Sequence, residues 1–419
     1  MRTILCITQI FPPVPEARAI QNYRLLSKIH EYGFWPVIHC EKPFDWPREL
    51  DHSILYSDKR NYEIYPAASL CKYKIYQKIV TALPMLQIPD RFGMPSWSFL
   101  SWNLGICLKS IFSGRRSFDL IFSVSEPVSD HITGLLLKMR TKLPWVAFFS
   151  DPWVNNPEAG GHPYLGLQVH KFLQKRVIEN ADFLIFVTKE TRDFVLGQYP
   201  SDHLNKCFVI PHSFYPDIDS ISPGRPLKDT GRVLFRHIGI STSARTPKPL
   251  MAGISIAKKK IRNIESHFQF EFIGRSCFCI RQLRKKYDIG KELIEIPSVN
   301  YLESLRRMKG ADVLINLDMD SKVNLSLQSK LVEYVGARRP IFGITPKDGA
   351  SADLIRETNG FLASPDRPEE IADCIIEIVK KKQKGELALH VPGDIIVDRY
   401  NVKNEIKEYA KVFEKAASK

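Results

Sequence analysis

The sequence lacks any run of about 18 uncharged apolar residues, the length a helix needs to cross a bilayer, so no membrane-spanning segment is expected. No small-residue cleavage site follows its apolar start, MRTILCITQI, which therefore reads as a first buried strand and not as a signal peptide. Cys-x-x-Cys pairs are absent. The eight cysteines, Cys6, Cys40, Cys71, Cys107, Cys207, Cys277, Cys279 and Cys374, are scattered, and Cys-Phe-Cys at 277–279 is not a zinc spacing. Apolar neighbours around several of them point to reduced core thiols in a cytoplasmic protein. There is no zinc-finger, helix-turn-helix or RNA-stacking motif, so nucleic acid is not expected as a partner. Acid is scarce: 46 Asp and Glu stand against 60 Lys and Arg, for a net charge of +14 and a pI of about 9.3. That balance favours acidic lipid or phosphorylated ligands.

What is present is an ordinary globular composition, 44% hydrophobic and 25% charged, over 419 residues. The length suits two domains of about 150–200 residues each. Continuous apolar strands alternate with helical patterns from start to end. RTILCIT, WPVIHC, DLIFSV, PWVAFFS, DFLIFVT and KCFVIP read as strands, with helices around 17–33, stopped by Gly33, and around 128–141 and 165–180. Such strands belong to parallel sheets covered on both faces. The Pro-, Ser-, Asp- and Gly-rich stretch 212–231 reads as a linker. The pattern then restarts with RVLFRHIGI, FQFEFIG, ELIEIP, ADVLINLD, RPIFGIT and GFLASP. A helix begins near Pro368, with Asp366 as its expected cap. The expected division is therefore 1–211, a linker over 212–231, and 232–398. A closing amphipathic helix over 399–419 would pack back onto the first domain. Both domains read as Rossmann-like and doubly wound, facing across a cleft, with ligands beyond the carboxyl ends of the strands. The segment 66–116 mixes aromatics and basic residues. It reads either as helices covering the first sheet or as a patch for an anionic membrane surface, through Trp97, Phe99, Trp102 and Phe112 beside Lys72, Lys74, Lys78, Arg115 and Arg116.

The stretch QSKLVEYVGARRPIFGI, 328–344, carries the sharpest chemical signal. Lys330 and Glu333 share one face of a short helix that follows the strand ADVLINLD. They are either a surface ion pair or a ligand site. As a site, Glu333 would accept hydrogen bonds from two ribose hydroxyls, while Ser329, Lys330 and the first helical amides face phosphate. Asp151 follows PWVAFFS at a strand's carboxyl end, where it is either a turn-forming residue or an orienter of a sugar hydroxyl. Glu126, after DLIFSVS, occupies an equivalent strand end and could bind acceptor hydroxyls. Arg18, in the Pro-rich loop after the first strand, could meet phosphate. His162 reads as a loop histidine more readily than as a base.

Several pieces in one order resemble glycosyltransferase family 4, of the type that builds bacterial surface polysaccharides. FPPVPEARAIQNYRLLSKIHEYGFWPVI, LPWVAFFSDPW, ENADFLIFVTKETRDFV and VIPHSF look like its N-terminal half. PSVNYLESLRRMKGADVLINLD, QSKLVEYVGARRPIFGIT and GFLASPDRPEEIADCI look like its nucleotide-sugar-binding half. The resemblance spans most of the chain except roughly 41–116. It implies a GT-B fold and a retaining, metal-independent transfer from a nucleoside diphosphate sugar to a saccharide or lipid-linked saccharide, with no cofactor. The protein would lie in the cytoplasm, peripheral on the inner face of the membrane. It places the family's second glutamate on Glu333 and its diphosphate-binding basic pair on Arg245 and Lys248, after a turn at Gly239. Catalytic roles are expected for Asp151, Arg245 and Lys248, although the family often has a histidine near the place of Asp151. Two further departures stand out. Leu325 occupies the place of the family's first glutamate. The usual Gly-Gly after the first strand is missing from PPVPEARA, which shifts weight to the Arg18 side chain. Asp318-Met319-Asp320 copies the metal signature of the other large glycosyltransferase fold, but in a two-sheet chain no metal is expected there. Two rival readings remain: a nucleotide-sugar epimerase of similar fold, and a non-catalytic scaffold subunit.

Overall fold

The computed structural model describes residues 1–42, 50–53, 61–67, 117–125, 127–157, 164–215, 217–223, 231–242, 245–275, 280–322 and 324–419. The expected membrane patch, Glu126, His162 and the Cys277–Cys279 pair lie outside them, apart from the short strand at the patch's start. Two compact units emerge, Met1–Pro211 with Glu405–Lys419, and His212–Asn404.

Unit 1 carries a seven-stranded sheet of β1 (Arg2–Ile7), β2 (Phe34–Glu41), β3 (Glu63–Ala67), β4 (Leu120–Val124), β5 (Trp145–Phe149), β6 (Phe183–Phe186) and β7 (Cys207–Val209). All pairs are parallel, in the order β3-β2-β1-β4-β5-β6-β7. β4, β5 and β6 are buried along their whole length, which is why they read as unbroken apolar runs. Helix α1 (Ala17–Leu26) is shorter than its periodicity suggests. It gives way to a single 3-10 turn over Ile29–Tyr32, and Gly33 closes that turn at φ 86°. Helices α2 (Ser129–Thr141), α3 (Tyr164–Asn180) and α4 (Lys189–Leu196) follow β4, β5 and β6.

Unit 2 carries β8 (Val233–Ile238), β9 (Phe268–Ile273), β10 (Leu293–Ile296), β11 (Val313–Leu317), β12 (Ile341–Ile344) and β13 (Phe361–Ala363). They are parallel, in the order β10-β9-β8-β11-β12-β13. Its helices are α5 (Lys248–Lys260), α6 (Ile280–Tyr287), α7 (Tyr301–Lys309), α8 (Ser329–Gly336), α9 (Ala350–Glu357), α10 (Pro368–Gln383) and α11 (Asp394–Arg399). Arg367, not Asp366, stands at the start of α10, because the Asp366 carboxylate is taken by the Ser364 hydroxyl. The two charges inside otherwise apolar β8 and β9, Arg236 and Glu271, are register partners and form a buried pair at 2.7 Å. The described part of the stretch read as a linker belongs to unit 2. Phe214 lies against Gly336, and Lys309 Nζ donates to the carbonyls of Ile218 at 2.9 Å and Asp219 at 3.0 Å.

Helix α12 (Val402–Ala417) supplies Tyr409 and Phe413 to unit 1. Phe413 meets Phe34 and Phe122 edge-on, and Tyr409 meets Phe122 and Phe148. Where β1 and β4 end, a buried carboxylate holds the chain. The Gln9 amide donates to Asp130 Oδ2 at 2.8 Å, and Gln9 Nε2 donates to Glu41 Oε2 at 2.7 Å. Burial pushes the Asp130 carboxyl well above its usual range against the pull of the Gln9 amide, and the charge of Glu41 adds to the push. Nearby His131 is pushed down to about 3 by burial. Its Nδ1 lies 2.8 Å from Ser123 Oγ, which accepts the Trp145 indole N–H at 2.9 Å. Among the described residues, Cys6, Cys40, Cys207 and Cys374 are free thiols, and no helix is long and apolar enough to cross a membrane.

Two outcomes follow for stability. Gly253, on α5, lies so close to α10 that a Cβ there would sit 2.4 Å from Ile371 Cγ2. Alanine in a helix interior usually gains about 0.5–1 kcal/mol over glycine, whereas overpacking costs about 1–3 kcal/mol. Gly253→Ala should therefore lower the urea midpoint, and a raised midpoint would refute the close α5–α10 contact. Asp130 titrates above its unfolded value, so its contribution is present in acid and lost as pH rises through the folded pKa. Asp130→Asn keeps an acceptor for the Gln9 amide and removes that loss. Its stability relative to wild type should rise from acid to neutral pH in urea titrations, and a difference flat in pH would show that Asp130 is unperturbed.

Candidate functional site

In unit 2 the strand order is that of the doubly wound nucleotide-binding fold, with its reversal between β8 and β11. Ladder pairing between these two strands covers only Phe235–Val313 and Arg236–Leu314. Beyond it the strands part, and side chains satisfy the freed backbone. The Ile238 amide donates to the Tyr334 hydroxyl at 3.1 Å. The His237 ring places Nδ1 3.1 Å from the Ile315 carbonyl, so Nδ1 carries the proton. Burial pushes His237 down to about 4. The Ile315 hydrogen bond opposes this, and the positive charges of Arg245 and Lys330 reinforce it. The ring is therefore neutral near pH 7. Its Nε2 is an acceptor that meets no partner among the described residues.

A cavity of about 280 Å³ opens at the carboxyl ends of β8, β9 and β10. His237, Ser241, Phe272, Arg275, Ile280 and Pro297 line it. The turns that shape it pass very close together. Gly274, at φ 132°, has its missing Cβ aimed at the Gly239 carbonyl oxygen, where any side chain would stand only 2.0 Å away. Gly239 itself sits over the imidazole, a Cβ there lying 3.8 Å from His237 Nε2.

Of the residues singled out in the C-terminal half, Arg245 and Lys330 are near enough to act on His237 at this edge. Arg245 is half-buried in the turn after β8, its amide held by Thr242 Oγ1 at 3.0 Å. Lys248 is exposed as the first residue of α5. Ser329 and Lys330 open α8, which has no acidic residue in its first turn. A lysine at that helix end opposes the macrodipole, so two sources of positive potential point the same way. Lys330 Nζ lies 5.5 Å from the Tyr301 ring centroid and 3.5 Å from Ser304 Oγ. Glu333 is buried, not a surface residue. Its Oε1 accepts from the Tyr301 hydroxyl at 2.6 Å, and its Oε2 from the Tyr215 amide at 3.3 Å. Asp318 is buried and Asp320 exposed. Asp318 accepts from Asn316 Nδ2 at 2.9 Å and from Gln328, the residue before α8.

In unit 1, Arg18 and Asp151 both lie at the carboxyl end of β5. The Arg18 guanidinium stands 5.0 Å above the Phe148 ring, and its Nη1 donates to Gln21 Oε1 at 2.6 Å. The Asp151 loop is fixed on both sides, by the Ser150 amide on Ser125 Oγ at 3.1 Å and by Trp153 Nε1 on His170 Nδ1 at 2.9 Å. Sequence reasoning missed His237, Tyr301 and Ser241. The signal for His237 was there, a titratable residue two before a turn glycine in the apolar strand VLFRHIG. Tyr301 left none, since a tyrosine opening an amphipathic helix is unremarkable.

No protein-family model matches the chain. An uncharacterized glycosyltransferase of Methanocaldococcus jannaschii is 21% identical over 379 residues, covering 86% of this chain and 91% of its own. Among solved structures, sucrose-phosphate synthase of Thermosynechococcus elongatus aligns with a TM-score of 0.72 at 13% identity over 99% of both chains. Anabaena HepE in complex with UDP-glucose aligns at 0.69 and 12% identity, over 99% of this chain and 100% of its own. A UDP-forming trehalose-phosphate synthase of Burkholderia xenovorans aligns at 0.67 and 11% over 100% of both. At these identities the likeness is one of architecture: the chain has the GT-B fold, two Rossmann-like α/β units each built on a parallel sheet.

Proposed function

We propose that the protein is a glycosyltransferase that uses a UDP-linked sugar donor, with the nucleotide held by unit 2. The observation that carries this reading is the gathering, at one sheet edge, of Arg245 and Lys330 around a neutral His237, beside the buried acceptor Glu333. Cations and helix amides suit a diphosphate, and a fixed carboxylate suits paired ribose hydroxyls. The neighbours in fold that carry UDP-glucose or form UDP support the choice of uridine. In this reading Arg245, Lys248 and Lys330 neutralise the leaving diphosphate, with the Gly239 turn and Ser329 against it. Arg18, Glu126 and Asp151 of unit 1 serve a saccharide or lipid-linked saccharide acceptor. Retention of configuration, a role in surface polysaccharide synthesis and a place on the inner face of the membrane follow from the family resemblance. The net charge of +14 and the basic, aromatic segment 66–116 favour an anionic membrane surface.

A second reading, a non-catalytic scaffold, has two observations in its favour. Leu325 stands where the family has its first glutamate, and both Glu333 oxygens already bind within the protein. UDP release from a panel of UDP-sugars, with and without saccharide acceptors and in excess chelator, separates the readings. Acceptor-dependent release is expected. Donor conversion without acceptor would indicate an epimerase, and neither reaction a scaffold. Arg245→Ala and Lys248→Ala should lower turnover more than they lower the unfolding temperature, and the reverse order would make both residues structural.

Glu333→Gln keeps the shape and one carbonyl acceptor but removes the charge. Hydrogen bonds to charged groups contribute about 1.5–3 kcal/mol, so UDP affinity should fall at least tenfold in calorimetry with the circular dichroism spectrum unchanged. Unaltered affinity would take Glu333 out of the site.

A further inference from the structure

We propose that His237 selects the base of the bound nucleotide by accepting a hydrogen bond from a base N–H at Nε2. Resting on the reading of unit 2 as a UDP-sugar site, that group is N3–H of uracil. Three observations converge on it. The tautomer is fixed by the Ile315 carbonyl, so Nε2 offers a lone pair and cannot donate while Nδ1 keeps its proton. The residue is more than nine-tenths buried, Nε2 has no partner among the described residues, and His237 lines the cavity at the strand ends. A buried acceptor left unpaired is costly, so a ligand that brings a donor is favoured over one that does not.

The rest of the cavity says which part of a nucleotide belongs there. Beside the charged Arg275 and Glu295, Phe272, Ile280, Ile296 and Pro297 give apolar wall on which a planar heterocycle can lie. The Phe272 ring is 5.4 Å from the imidazole, centroid to centroid. A diphosphate carries no N–H and would be repelled by the Nε2 lone pair, and the cations that suit it, Arg245 and Lys330, act on His237 from its surroundings. Ribose hydroxyls have their own acceptor in Glu333. Ser241, also buried and lining the cavity, offers a hydroxyl that can donate to the carbonyl beside the N–H. The volume, about 280 Å³, lies at the small end of ligand pockets and fits one base.

Calorimetry on the full chain with UDP and its N3-methyl analogue is decisive, because the analogue keeps the ribose and diphosphate and loses only the N–H. Wild type should bind the analogue at least tenfold more weakly than UDP. His237→Phe should bind the two alike, and His237→Gln, whose amide carbonyl is again an acceptor, should recover part of the discrimination. Equal affinity of wild type for both ligands would overturn the assignment of His237 and leave the UDP reading standing. Absence of UDP binding by wild type would overturn that reading and the assignment with it. Should His237→Phe fail to fold, imidazole-nitrogen NMR on wild type replaces it. The Nε2 resonance should move on adding UDP and stay in place with the analogue, and equal movement with both would refute the hydrogen bond.

Discussion

Glu333 is the point on which unit 2's ligand edge depends. A carboxylate inside a protein must find donors, because an unpaired buried charge costs several kcal/mol. Here the donors come from two other segments, the Tyr301 hydroxyl at the start of α7 and the Tyr215 amide just past the division between the units. Their meeting on α8 requires close approach, which Gly336 permits by leaving room for Phe214. Tyr301, fixed by its hydroxyl, then offers its ring to Lys330. One acid thereby orients a cation and an aromatic face before any ligand arrives.

The first six strands of unit 1 and the six of unit 2 follow one order, and each unit meets the same difficulty where its first and fourth strands part. Backbone groups there lose their ladder partners. In unit 2, Tyr334 and His237 take them over, and Nε2 of the neutral imidazole is left without a partner among the described residues, in a side chain that lines the cavity. In unit 1, Asp130 takes the Gln9 amide and pays by being pushed toward its neutral form. The crevice that makes this fold useful is thus also where buried titratable groups accumulate.

The alternation of strands and helices was legible because buried parallel strands leave unbroken apolar runs, and β4, β5 and β6 are such runs. The bounds of α1 were not, since Gly33 closes a separate 3-10 turn rather than the helix itself. Within the candidate site, Glu333 and Lys330 were visible because a polar pair on a short apolar-faced helix calls for explanation. Their real partners were not. Tyr301 lies 32 residues from Glu333, and the carbonyl that sets the His237 tautomer lies 78 residues from it. Short-range pattern reports a residue's own element, whereas hydrogen bonds across a parallel sheet join elements separated by whole crossovers.

The aromatic contacts of α12 have a consequence for biogenesis. Phe34, Phe122 and Phe148 belong to the first strands that the ribosome delivers, yet the rings that cover them, Tyr409 and Phe413, are made after all of unit 2. Unit 1 therefore waits, these rings without their α12 partners, while nearly two hundred further residues are translated, about ten seconds or more at typical elongation rates. Over that interval the nascent chain lacks part of its aromatic core. It is a natural substrate for ribosome-bound chaperones, and premature termination anywhere between residues 212 and 404 would leave a product unable to close its own first domain.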